Sequence, residues 1–165
     1  MKALTSTKKR RRRTNKNVPA KGRLRDMADQ LWSLAVREDW NHKCAVCGFT
    51  ERLEAHHLIP RQWFSTRYDL RNGITLCARH HQFDPALSPH QNAAGWLQWL
   101  DQNHRSRADW YKTTIALGAY KKLLWTKNAD YFCTIIRSLK EYVDESNYER
   151  IVGVRFSQWL LENVE

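Results

Sequence analysis

Three short stretches decide how this chain folds: Lys43-Cys44-Ala45-Val46-Cys47-Gly48, Leu53-Glu54-Ala55-His56-His57-Leu58-Ile59-Pro60 and Asn72-Gly73-Ile74-Thr75-Leu76-Cys77-Ala78-Arg79-His80-His81. A Cys-x-x-Cys turn closed by glycine can aim two thiolates at one tetrahedral ion. Cys77 and His80 repeat the x-x spacing, about one helical turn apart, and complete a four-ligand zinc set with Cys44 and Cys47. With every position a protein ligand, that site is closed and structural; the alternative is a group of unliganded buried thiols. LEAHHLI and GITLC, each bounded by turn residues, read as strands, with a helix after the second. The expected fold is therefore α+β: a zinc-braced ββα core, its strands joined by the Pro60–Asn72 loop. Adjacent histidines on a regular strand face opposite ways. For His56 and His57 to serve one site, the strand must end or twist beside them, and Pro60 favours that.

Working outward, Leu24, Met27, Ala28, Leu31 and Ala35 recur at helical spacing from Gly22 to near Asp39, and Trp32, Leu34 and Val36 widen the apolar face. Downstream, Ser88-Pro89-His90-Gln91 has the composition of a helix start: a capping serine, proline at the first position and a capping-box glutamine. Further helices are expected near 107–124 and 129–145, the latter with Phe132, Ile135, Ile136, Leu139, Tyr142 and Val143 on one stripe, and Phe156 to Val164 should dock back. These stripes read as core, and Cys133 as a small buried hydrophobe. The expected divisions are a disordered basic tail (1–21), a core with its leading helix (22–87) and a C-terminal helical region (88–165). Through that last region a protein partner, or self-association, can act.

The chain has 165 residues with 28 Lys/Arg against 17 Asp/Glu, a formal charge of +11. Eleven of the cations lie in residues 1–25, which hold no acid, so the remainder is balanced. The run Lys8, Lys9, Arg10, Arg11, Arg12, Arg13 is expected to tether nucleic acid by displacing condensed counterions, or to target a nucleus in a eukaryotic source. No apolar run approaches the roughly 18 residues of a membrane span, and no secretory leader is expected. A reducing compartment follows, the cytoplasm and nucleoid of a bacterial cell, where cysteine spacing reads as metal rather than disulfide. Arg61, Arg67, Arg71 and Arg79 surround the Cys/His cluster, and Arg61 and Arg67 are expected on DNA backbone because a planar guanidinium matches two phosphate oxygens. The plainer alternative pairs these arginines with Glu51, Glu54 or Asp69.

Over residues 40–84 the sequence resembles the HNH endonucleases, also called ββα-metal or His-Me finger nucleases. The knuckle Cys-x-x-Cys-Gly, the His-His pair followed by Leu-Ile-Pro, Asn72-Gly73 before the second strand and the Leu-Cys-x-x-His-His ending occur in the family's order. The resemblance implies that His57 is the general base, that His56 and His81 hold a catalytic divalent ion (Mg²⁺, Mn²⁺, Ni²⁺ or Zn²⁺), and that Asn72 steadies the base-bearing loop or sits near the metal. His80, at the x-x spacing, takes the structural position, with exchange of His80 and His81 the alternative. Relatives often place another His or Asn four residues after the last motif histidine; here Pro85 stands there, so phosphate oxygen and water are expected to fill the ion's remaining positions. The implied reaction is DNA phosphodiester hydrolysis leaving 5′-phosphate and 3′-hydroxyl ends, in a protein of phage or prophage origin. The stretch from Pro60 to Asn72 is also similar to the loop of phage NinG/Rap-type recombination nucleases, which act on branched DNA such as Holliday junctions and flaps. A noncatalytic zinc-knuckle DNA-binding protein is the reading from another class.

Overall fold

In the computed structural model, residues 17–122 and 128–164 are described; the cations Lys8 to Arg13 lie outside them. The element order is α1 (Lys21–Asp39), β1 (Leu53–His57), β2 (Gly73–Cys77), α2 (Ala93–Asn103), α3 (Arg105–Ala116), α4 (Ala129–Ser138), α5 (Glu145–Val152) and α6 (Val154–Asn163). The two strands pair antiparallel, Leu53 opposite Cys77 and His57 opposite Gly73. No helix among the described residues is long and apolar enough to cross a membrane.

The stripe on α1 is buried as its spacing requires: Leu24, Met27, Ala28, Leu31, Trp32, Ala35 and Val36 all face inward. They form one core with Phe132, Ile136, Leu139, Tyr148, Val152, Phe156 and Leu160 from the C-terminal helices. Truncating a member such as Leu31, which is fully buried, costs about 2–5 kcal/mol in such settings. A second core joins Cys44, Ile74, Leu76 and Cys77 to Trp96, Leu100 and Ala108 of α2 and α3. The sheet thus lies between α1 on one side and α2–α3 on the other. Gly73 permits the first of these contacts, because a Cβ there would meet Val36 Cγ2 at 2.3 Å. Trp40 Nε1–H donates to the Gly73 carbonyl (3.3 Å), and Thr75 Oγ1–H to that of Val36 (3.2 Å).

Several boundaries differ from the expected ones. After β2 the chain makes a single π-turn, Arg79–Phe83, in place of a regular helix. Ser88 does not cap a helix. Its hydroxyl donates to the His81 carbonyl (2.8 Å) and accepts from the His90 N–H (3.2 Å), so residues 88–91 form a turn. Asn92 caps instead, accepting from the Gly95 N–H, and α2 starts at Ala93. α3 ends at Ala116 because Gly118, at φ +58°, turns the chain out of helical space. α4 stops at Ser138 and tightens into a 3₁₀ turn, Leu139–Tyr142; Asp144 then caps the separate helix α5, which the apolar stripe did not foreshadow.

Candidate active site

The knuckle is built by backbone before any metal is considered. Gly48 N–H donates to the Cys44 carbonyl and Cys44 N–H to that of Phe49, both at 2.8 Å, and Gly48 takes φ +72° to close the turn. Ala45 N–H donates to the Thr75 carbonyl (2.9 Å), fastening the knuckle to β2. The Cys44, Cys47 and Cys77 sulfurs and a His80 ring nitrogen then fall within 4.8 Å of one another. Cys47 and Cys77 sulfurs are 4.0 Å apart, and His80 Nδ1 lies 3.3 Å from Cys77 Sγ and 3.7 Å from Cys44 Sγ. Tetrahedral zinc with bonds of about 2.0–2.3 Å gives ligand–ligand edges of about 3.6–3.8 Å, so this cage fits the ion. Burial pushes the Cys44 thiol up, but N–H groups of Cys77, Cys47 and Val46 outweigh it and leave the thiol below its ordinary value. That favours the thiolate a metal needs.

A second cluster forms on the same face of the ribbon as the π-turn. His56 Nδ1 and His81 Nε2 are 3.0 Å apart, and His90 Nε2 lies 3.2 Å from His81 Nε2. Burial, and then the neighbouring imidazoles, push His56 down to about 3. The ring therefore keeps a free lone pair at any ordinary pH. His81 Nδ1–H donates to Glu54 Oε2, which leaves Nε2 as the nitrogen that faces its neighbours. Gln82 donates to the same carboxylate oxygen (3.1 Å). All three nitrogens lie within 4.8 Å of one another, and the two separations from His81 Nε2, about 3 Å each, match adjacent sites around one divalent ion with bonds of about 2.1 Å. In the sequence His90 belongs only to the expected helix start. The Ser88 turn delivers it here, so a third imidazole stands where phosphate oxygen and water alone were expected to complete the ion's shell. Pro85 is not replaced by a neighbour; the residue comes from nine positions past His81.

His57 leaves β1 on the opposite face, as strand geometry dictates. It is the last residue of the strand. Its ring stacks on Trp32 of α1, with centroids 3.7 Å apart and planes 13° from parallel. His57 Nε2–H donates to the Arg67 carbonyl (2.9 Å), which makes Nδ1 the basic nitrogen. Burial pushes this imidazole down to about 4. Asn72, fully buried, spans the loop that follows. Its Oδ1 accepts from Ile59 N–H (2.7 Å), while Nδ2–H donates to the carbonyls of Ile59 and Thr66, each at 3.0 Å. Of the two roles the resemblance offered, these are the bonds of a loop clamp.

The arginines divide. Arg67 is only 7% exposed. Its guanidinium forks onto Asp29 (2.6 and 2.9 Å) and donates to the Arg61 carbonyl (2.8 Å). The expectation that it meets phosphate is thereby corrected: the carboxylate of α1 already satisfies the planar donors. Arg71 and Arg79 pair with Asp69 and Asp84 yet keep most of their side chains in solvent, and Arg61 is exposed.

Residues 44–84 match the family of HNH endonucleases. That stretch contains both strands, the zinc-type cage, His56, His57 and His81; His90 lies beyond it. No curated protein and no solved structure matches the chain.

Proposed function

We propose that this protein is a metal-dependent endonuclease that hydrolyses DNA phosphodiester bonds, with His57 as general base and His56, His81 and His90 as ligands of the catalytic divalent ion. The observation that carries this reading is a three-imidazole cluster that includes His56, together with the next residue, His57, at the end of the strand, whose Nε2–H is tied to a backbone carbonyl. When bound, the ion supplies Lewis-acid stabilisation of charge on the phosphate and its leaving oxygen. The residues do the rest. His57 Nδ1 takes the proton of an attacking water, and the Arg67 carbonyl holds its tautomer. Glu54 orients His81, and the Cys44, Cys47, Cys77 and His80 cage braces the ribbon with zinc. Arg61, Arg71 and Arg79 are the exposed cations placed to meet backbone phosphates, and Lys8 to Arg13 would add a nonspecific tether. The products would carry 5′-phosphate and 3′-hydroxyl ends.

Plasmid digestion with Mg²⁺, Mn²⁺ or Ni²⁺ and an EDTA control, comparing wild type with His57→Ala, tests the reading. Cleavage that needs the ion and falls to a small residue in His57→Ala while DNA binding persists is the expected result. A zinc-loaded wild type that binds DNA but cuts with no ion would replace it with a noncatalytic binding module. Four-way-junction and plain-duplex substrates in the same assay decide whether branched DNA is preferred.

A further inference from the structure

Helix α1 touches the proposed general base and the loop that holds it at four points. Trp32 lies flat against the His57 ring, 3.7 Å away and 13° from parallel. The same indole donates its Nε1–H to the Asp69 carbonyl (3.2 Å). One turn earlier, Asp29 accepts two bonds from Arg67 and one from Tyr68 Oη–H (2.9 Å). α1 therefore grips three consecutive residues, Arg67, Tyr68 and Asp69, and the first of these supplies the carbonyl that receives His57 Nε2–H. One contact sets the plane of the imidazole and the other its rotation within that plane. A hydrogen bond alone would leave the ring free to pivot about the N–H···O axis, and stacking alone would let it slide. Trp32 is itself only 2% exposed and wedged beside Gly73, where a Cβ would come within 3.1 Å of Trp32 Cζ2.

We infer that Trp32 is a positioning residue for the cleavage reaction, acting through His57, with Asp29 and Arg67 anchoring the carbonyl that completes the grip. The inference rests on the nuclease reading. In that view α1 is a wall of the active site, and core packing is only part of its work. Misplacing a reacting group by about 1 Å can cost about 100-fold in rate, so the wall has consequences that ordinary packing lacks.

The test uses the full chain, plasmid DNA and Mn²⁺. Trp32→Met keeps apolar bulk but loses the flat face; its kcat should fall about 10- to 100-fold with KM little changed. Trp32→Phe keeps a flat ring while giving up the bond to Asp69 and part of the indole's bulk beside Gly73, and should recover most of that loss. In a His57→Ala background, Trp32→Met should remove none of the residual cleavage, since a residue acting through His57 has nothing left to position. Equal losses in both backgrounds, or Trp32→Phe as impaired as Trp32→Met, would overturn the inference and leave Trp32 as core alone. If Trp32→Met does not fold, Trp32→Phe and the wild-type His57 ring-proton resonances decide. Upfield-shifted resonances with near-normal kcat in Trp32→Phe support it, and resonances at exposed-imidazole positions overturn it. A wild type that fails to cut with every divalent ion tested removes the nuclease reading and this inference together. Cleavage by wild type with Trp32→Met indifferent removes this inference alone.

Discussion

Glu54 and His81, 27 residues apart in sequence, are joined by a hydrogen bond from the imidazole Nδ1–H to the carboxylate across the strand–turn junction. The bond lowers the Glu54 carboxyl from its ordinary value, against a burial that pushes it up. It also commits His81 to presenting Nε2 to His56 and His90. Carboxylate partners of metal-binding histidines typically account for about 10- to 100-fold in affinity. Glu54→Gln should weaken the catalytic ion by about that factor while the zinc content stays unchanged. Calorimetric titration with Mn²⁺ on zinc-loaded protein reads both; unaltered affinity would mean that Gln82 or solvent orients His81 equally well.

His90→Ala should raise the Mn²⁺ concentration needed for half-maximal cleavage, because the ion loses one of three imidazoles. His90→Asn, which returns an oxygen donor, should recover part of it. If the metal dependence of His90→Ala matches wild type, His90 is a bystander of the Ser88 turn.

Arg61 and Arg67 should respond oppositely to removal. Arg67→Ala leaves the Asp29 carboxylate with Tyr68 alone and the Arg61 carbonyl without its guanidinium donor, a loss of about 1–3 kcal/mol of folding stability for groups of this kind. Arg61→Ala should leave the melting temperature in place, weaken DNA binding across sequences and lower the salt slope by about 1. Denaturant melts and binding isotherms at several salt concentrations separate the two effects.

The four cysteines should divide three to one. Zinc should protect Cys44, Cys47 and Cys77 from alkylation at pH 8, and chelation should expose them while releasing the knuckle from β2. Cys133, buried between α1 and the C-terminal helices, has its thiol pushed up to about 11, by burial first and Asp130 second. It is therefore protonated at pH 8 and should stay unreactive until the main core melts. Mass-spectrometric counting of labels before and after chelation gives the result; one early label on Cys133 would contradict the packing.

Cleavage should also outlast the acidity that silences an ordinary histidine. His57 acts in its neutral form, and burial has pushed its imidazole down to about 4, so the competent fraction falls only as pH drops toward that value. At saturating metal, the rate should stay level as pH falls through about 6.5, where a solvated imidazole would take up its proton. An acid limb centred near 6.5 would show a base open to water.

Local pattern alone determined a good deal here. β2 occupies the residues that its turn signals bracket and β1 all of its stretch but Leu58 and Ile59, α1 spans the stripe from Leu24 to Val36, and the spacing of Cys44, Cys47, Cys77 and His80 assembles a zinc-type cage, because these features depend on periodicity and on neighbours a few residues away. What only the tertiary structure decided is where distant side chains meet. Ser88 spends its hydroxyl on the His81 carbonyl, which delays the helix and swings His90 to His56 and His81; no helical or strand period carries that. Arg67 is drawn from the expected phosphate contact by Asp29, 38 residues earlier, and Trp32 gains its stack on His57 because Gly73 lets α1 settle on the ribbon. Such pairings are set by the three-dimensional packing of whole elements, whose competing hydrogen bonds and close contacts leave no mark in the spacing of residues along the chain.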